Sequence, residues 1–402
     1  MSSAEVDPAS RCVVETEMRR RLAITFRTQA TVGRIVLLAI AGALAISFGV
    51  NAATDSVPVE ATFVFGGDVL VHSQLWRQAA QNVGSRGQER GVNYDFRPMF
   101  GEIRRRVRSA DVAICHLETP LVPSGERLST FPRFGVPAEI APALADAGFD
   151  RCSTASNHAL DRGVAGIQAT IAALERAGIS QAGMARNPGE IAPTIQTNEG
   201  LVYSHLSYTF GYNGIRPPDG EPWRSALTDP KRIIADARAA RALGARAVIV
   251  SLHWGVERRH EVSSYQRDIA RALARSGAVD LVVGHHAHVL QPIEQVDGMW
   301  VIFGLSNLLS NMPTDSRWPE ASQDGALVEV TIRVNEDEVS VGRPVVHPTW
   351  VDKEAGFIIR ETIGGGERAD LAAGTRRSLL ASLARTMKIL GPFILKSGRS
   401  ET

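Results

Sequence analysis

The sequence predicts an α/β fold in which two β-sheets pack face to face between outer helices, a four-layer α-β-β-α sandwich. Three observations carry this reading. From Ala61 to Gly284, apolar strand-length runs alternate with helical stretches, which argues for a sheet with substantial parallel content. Beyond residue 290 the runs turn short and rich in Val and Ile, with turn signals between them, as antiparallel strands of a second sheet would be. Carboxylate, amide and imidazole side chains stand where apolar runs end, and open α/β sheets bind ligands at that edge.

In chain order, the run 62–67 leads to Asp68 and a polar loop over 81–95, then a helical stretch near 100–108. Strand 111–117 precedes a loop with Pro120, Pro123 and Pro132. Helix 138–147 begins near Pro137 and stops at Gly148. Strand 150–155, helix 163–177, a short strand near Gln181 and strand 200–207 follow. Helix 232–243, strand 246–252, helix 264–276 and strand 280–284 complete the alternation. The later runs are 290–296, 299–304, 326–333 and 339–346, and Asp297-Gly298 between the first two signals a hairpin. The last section, 370–390, has a helical pattern with Gly364-Gly-Gly366 before it. Two irregular loops, 212–223 and 311–320, mix proline, tryptophan and charge as covers over clefts do.

The 402 residues are 44% hydrophobic and 22% charged, an ordinary globular composition. A formal net charge of +1 gives no electrostatic footprint for nucleic acid. Cys12, Cys115 and Cys152 fit no zinc ribbon or redox spacing, and the last two lie in strand-like runs, which reads as buried thiols. Residues 35–53 form an uncharged apolar stretch of about 19 residues, just enough to cross a bilayer. Arg19, Arg20, Arg21, Arg27 and Arg34 precede it with no acid among them. The positive-inside rule then predicts a cytoplasmic tail (1–34), a single transmembrane signal-anchor (35–53) and a large domain outside the cytoplasm. A cleaved signal peptide is the alternative, since Val50-Asn51-Ala52 has small-residue character. The remaining partition is a main domain over 54–350 and a C-terminal helical extension over 351–402.

The candidate site gathers from strand ends. Asp68 follows Gly66-Gly67, which lets the chain turn sharply. Glu118 closes an apolar strand, with His116 on the same face. Asn157 offers an amide oxygen. His158 stands beside it as a proton donor to a leaving group, with Asp161 placed to orient the imidazole. His253 ends a very apolar strand, and Gly284-His-His-Ala-His288 sets three imidazoles within four residues. Such imidazoles would repel if charged and make sense around a cation. The metal set is Asp68, Glu118, Asn157, His253, His286 and His288, for one or two divalent ions per chain; Mn, Fe and Zn all suit N/O ligands.

These motifs resemble the capsule-synthesis, or poly-γ-glutamate synthesis, proteins of the CapA type, a branch of the calcineurin-like metallophosphoesterases. The resemblance runs from about Ala61 to Leu309. It rests on Gly67-Asp68, Leu117-Glu118-Thr-Pro120, Asn157-His158-Ala-Leu-Asp161-Arg-Gly163, Ser251-Leu-His253-Trp-Gly255 and Val283-Gly-His-His-Ala-His288-Val289. It implies a sandwich of metallophosphoesterase type with Asp68 bridging two metals, Asn157, His253 and His286 on one, and Glu118 and His288 on the other. Arg133 and Asn213 resemble family positions and, with His72, are expected at substrate; the alternative for His72 is to replace, from a changed loop, the histidine ligand missing at Leu70. Leu70 stands where the superfamily has a histidine, His116 where the family has asparagine, and Ser156 where the superfamily has glycine. The implied function is a membrane-anchored, extracytoplasmic hydrolase of capsule biosynthesis, phosphoesterase-like or acting on γ-glutamyl polymer. The implied partners are an anionic envelope polymer and other capsule-synthesis membrane proteins. The alternative is a non-catalytic assembly or export factor with a structural metal. Arg133, Arg216, Arg258 and Arg259 would meet carboxylates of such a polymer.

Overall fold

The structure, a computed structural model, describes residues 58–394 apart from Arg90, Ser124 and Asp337. The chain divides into two units, 1–56 and 57–402, and every element below lies in the second. The chain opens with four parallel strands: β1 (Val59–Leu70), β2 (Val112–Leu117), β3 (Arg151–Ser153) and β4 (Ser180–Ala182). It then builds a second sheet from β5 (Gln196–Asn198), β6 (Leu201–Thr209), β7 (Ala247–His253), β8 (Leu281–His285), β9 (Ile293–Val296) and β10 (Met299–Ile302). Strands β6, β7, β8 and β10 are parallel, and β5 and β9 pair antiparallel at the edges. Finally β11 (Asn307–Ser310), β12 (Asp324–Asn335), β13 (Glu338–Val341), β14 (Val345–Asp352) and β15 (Ile358–Glu361) return to the first sheet.

The longer helices are α1 (Ser73–Gln81), α2 (Ile140–Ala147), α3 (Gly163–Arg176), α4 (Pro230–Ala242), α5 (Ser264–Ser276) and α6 (Ala373–Leu390). Alternation along the strands sorts the core. Ala61, Phe63 and Phe65 of β1 pack between the sheets with Ala247 and Ile249 of β7 and Leu281 and Val283 of β8. Val64 points the other way, into a cluster with Leu75 of α1, Leu144 of α2 and Leu174 of α3. Val248, Val250 and Leu252 of β7 likewise meet Ile233 of α4 and Leu273 of α5. The layers are therefore helix, sheet, sheet, helix. Both faces of the parallel strands are covered, which is why β2, β7 and β8 read as continuous apolar runs.

The assembly of the sheets corrects one expectation. The C-terminal runs do not make the second sheet. Only β9 and β10 join it, while β12 pairs antiparallel with β1 from Val59↔Val334 to Gly66↔Leu327 and carries β13, β14 and β15 with it. The edge of β1 opposite β2 is otherwise an unpaired ladder, and a 12-residue strand fills it. The expected run 339–346 splits into β13 and β14 around Gly342-Arg-Pro344, where proline supplies no donor. The sheet continues through β15 to Glu361. The hairpin at Asp297-Gly298 forms as a two-residue turn with φ of 46° and 88°.

Two further corrections concern the chain as a whole. Among the described residues, no helix is long and apolar enough to cross a membrane. The longest, α6, carries Arg376, Arg377, Arg385 and Lys388. The expected span, 35–53, lies outside the described residues. The transmembrane helix, the single-pass membrane localisation with an extracytoplasmic domain, and the membrane and membrane-protein partners that rested on it are withdrawn. The anionic-polymer partner is withdrawn with them, since no described contact bears on it. Cys115 and Cys152 are buried as expected but joined as a disulfide, because β2 and β3 set them directly opposite in register.

Gly284 fixes how β8 meets the strands beside it. A Cβ there would overlap the Phe303 carbonyl and press on the Trp254 indole nitrogen. Gly284→Ala is expected to destabilise the fold by roughly 3 kcal/mol, as overpacking against backbone does. Urea denaturation measures it, and an unchanged midpoint would contradict this packing.

Candidate metal centre

The ends of β1, β2, β7 and β8 bring the chemistry together. Asp68 sits where β1 shifts register, and its N–H donates to the Ser306 carbonyl at 2.8 Å. Its side chain is fully buried. Oδ1 lies 3.1 Å from His285 Nδ1; Oδ2 accepts from the His286 N–H at 3.1 Å and lies 3.3 Å from His288 Nδ1. Burial alone would raise this carboxyl, but the hydrogen bonds of His285 and His288 and the surrounding imidazoles hold it well below the usual range.

Beyond β8 the chain makes the tight turn that fans out the imidazoles. His286 and His288 take left-handed backbone conformations, with φ of 85° and 54°. Such conformations cost about 1–3 kcal/mol each for residues other than glycine and collect at functional sites. Glu118 enters from β2, fully buried, with Oε1 at 3.9 Å from His253 Nε2 and 3.7 Å from His288 Nε2. Asn157 Oδ1 is 3.0 Å from His253 Nε2. Atoms bound at about 2.1 Å to one ion lie about 3 Å apart when they subtend a right angle, so this pair suits a shared cation.

The expected metal set thus converges: Asp68, Glu118 and His288 offer atoms within 4.8 Å of one another, and Asn157, His253 and His286 flank them, the His253 and His286 rings being 4.7 Å apart. Three residues outside that set also stand close. His116 and His285 form a second cluster with Asp68, their rings stacked at 4.1 Å. His116 also holds Ser153 Oγ at 2.8 Å and His253 Nδ1 at 2.9 Å, so it orients His253 from below. Glu257 forms a third cluster with His286 and His288. Its signal in the sequence was a carboxylate four residues after His253, in the same strand-end loop.

His158 Nδ1 is 2.7 Å from Asp161 Oδ2, which also accepts the Phe134 N–H at 2.7 Å. Asp161 thus meets the His158 ring through Nδ1, and the ring stands edge-on to Phe134 at 4.7 Å. Of the residues expected at substrate, His72 packs on Phe134, and its Nδ1 lies 3.1 Å from the Leu70 carbonyl and 3.2 Å from the Asn311 N–H. Burial first, then the charge of His288, lowers its pKa to about 4. Asn213 is exposed and accepts from Asn157 Nδ2 at 3.3 Å. Arg133, Arg216 and Arg259 are exposed, while Arg258 lies over the Trp318 ring. Trp318, from the expected cover loop, stands 5.8 Å from His288; Phe210, 42% exposed, stands 4.5 Å from His286. Phe210 was missed because nothing in its spacing marks it, whereas Trp318 belongs to the loop 311–320 that the sequence marked as a cover.

A metal fits this donor set. Both Glu118 oxygens and His286 Nδ1 are buried with no hydrogen-bond partner among the described residues, which is costly unless something meets them. Burial pushes Glu118 up to about 8, against the pull of His288. His288 is itself pushed up to about 10: burial opposes the shift, but the carboxylates of Glu118 and Asp68 outweigh it. His116 and His253 are held well below the ordinary value by burial and neighbouring imidazoles, and His286 falls to about 3. Neutral imidazoles are the form that binds metal.

The model of the family described as bacterial capsule synthesis protein PGA_cap matches residues 62–312. The chain is 30% identical over 209 residues to the PGA biosynthesis protein CapA of Bacillus subtilis, covering 49% of this chain and 50% of that one. It is 29% identical over 201 residues to the capsule biosynthesis protein CapA of Bacillus anthracis, covering 49% and 47%. The chain spans about half the length of the curated relatives it matches. The calcineurin-like phosphoesterase YfkN of Bacillus subtilis aligns over 83% of this chain and 98% of that one, at 10% identity and a TM-score of 0.46, too loose a likeness to bear on chemistry.

Metal uptake must displace the protons that Glu118 holds below about 8 and His288 below about 10. Apparent affinity for Mn²⁺ is therefore expected to strengthen at least about tenfold per pH unit between about pH 6 and 8. Calorimetry in buffers of different ionisation enthalpy counts the released protons, and a pH-independent affinity would contradict this electrostatic account.

Proposed function

We propose, given that this chain belongs to the PGA_cap family of bacterial capsule synthesis proteins, that its buried centre is that of a metal-dependent hydrolase serving capsule synthesis. The observation that carries the reading is Glu118: a fully buried carboxylate with two unpartnered oxygens, set between His253 and His288 and beside Asp68. Asp68, Glu118 and His288 would hold one divalent ion, and Asn157, His253 and His286 a second. Two ions of first-row type (Mn, Fe or Zn) suit that mixture. When bound, they supply a lowered pKa for water and positive charge to offset what gathers on the scissile group.

The rest of the chemistry falls to the protein. Asp161 orients His158 through Nδ1, leaving Nε2 to give a proton to the leaving group. Phe210 and Trp318 stand against His286 and His288 and shield them from bulk water. His116 holds the His253 ring in place. The bond cleaved is a γ-glutamyl amide, as the PGA biosynthesis relative favours, or a phosphoester, as the donor set equally suits.

The test is turnover of a γ-glutamyl anilide and of an aryl phosphodiester by the metal-stripped and Mn²⁺-reloaded chain. Reloading is expected to bring hydrolysis of one of them, and EDTA to remove it. His158→Ala is expected to lower kcat by about 10²–10⁴ at unchanged metal content. A chain that holds its metal yet turns over neither substrate would overturn the hydrolase and leave a structural ion.

A further inference from the structure

The ion position around His288 is short of ligands. Asp68, Glu118 and His288 supply three groups. The side chain of Leu70, on the same strand end as Asp68, is 3% exposed and packed in the apolar core, so it adds nothing. His72 is turned to the Leu70 carbonyl and the Asn311 N–H. First-row divalent ions take four or more ligands, and water alone would complete this set.

Glu257 stands on the other side of His288, next to His286. It lies in the loop after β7, four residues beyond His253, and its carboxylate oxygen is within 4.8 Å of ligand atoms on both His286 and His288. No hydrogen bond or ion pair engages its carboxylate among the described residues. The neighbouring backbone is fixed: the Arg258 N–H donates to the Ala287 carbonyl at 2.8 Å, and Arg258 has a left-handed φ of 66°. This tie runs from the Glu257 loop to the residue between the two histidines, so the carboxylate is held against them by the backbone. Its charge acts on both Glu118 and His288.

We propose that Glu257 is a metal ligand of this centre, set beside His286 of one ion position and His288 of the other. The cluster is then one carboxylate with two imidazoles at the outer side and two carboxylates at the inner side. Three carboxylates against two divalent ions leave a small net positive charge, whereas two would leave the centre strongly cationic in a buried setting. The inference rests on the metal-centre reading above and adds a ligand that neither the spacing of strand ends nor the family likeness assigned.

The test is metal content and affinity of the full chain, read by elemental analysis after gel filtration and by Mn²⁺ titration followed by electron paramagnetic resonance. Wild type is expected to retain two ions. Glu257→Gln, which keeps size and removes charge, is expected to retain one, with the other weakened at least about 100-fold. Glu261→Gln, an exposed carboxylate in the same loop, is expected to behave as wild type. Glu257 is only half-buried, so Glu257→Gln should fold, and thermal melting in chelator checks this. Two ions at unchanged affinity in Glu257→Gln would overturn the ligand assignment and leave the centre intact. No ion in wild type would sink the metal-centre reading, and this inference with it.

Discussion

A buried carboxylate without a hydrogen-bond partner is unstable unless a cation meets it, and Glu118 is such a group. The surrounding structure is arranged around that need. Asp68 is held ionised beside it, and His288 answers with a raised pKa when no metal is there to do so. His116, His253 and His286 are held neutral because they are buried and crowd one another. A divalent metal bound here would compete with protons for one pocket of negative charge.

The two-sheet architecture makes this possible. Each ligand comes from the C-terminal end of a parallel strand or the turn after it, so backbone groups are satisfied by the ladders while side chains meet at one edge. Facing sheets bring β2 and β8 together: His116 stacks on His285 across the interface at 4.1 Å. The left-handed backbone at His286 and His288 carries local strain of the kind that collects at functional sites.

Much of this was legible in the sequence. The strand-end positions of Asp68, Glu118, Asn157, His253, His286 and His288 follow from where apolar runs stop, because strand length is set by burial and can be counted. The β-α alternation gave the parallel strands for the same reason. What could not be counted was pairing between distant segments. The return of β12 to β1 depends on an open strand edge, which leaves no local mark, so the later runs were assigned to the wrong sheet. Glu257, Phe210 and Trp318 lie in loops, where spacing says little about what a side chain meets. The register that faces Cys115 with Cys152 is likewise a property of two strands and not of either. The apolar stretch 35–53 was read by length and flanking charge alone, and the described residues contain no membrane-spanning helix to support that reading.

The central claim is that Asp68 and Glu118 are buried together because divalent metal sits between them and the imidazoles. Anomalous diffraction from crystals grown with Mn²⁺, recorded on both sides of the manganese edge, tests it most directly. The account predicts two anomalous peaks, one of them roughly 2.0–2.6 Å from carboxylate oxygens of Asp68 and Glu118 and from a His288 nitrogen. A well-ordered site with no anomalous peak, and with Glu118 hydrogen-bonded to water or to a protonated His288, would contradict it.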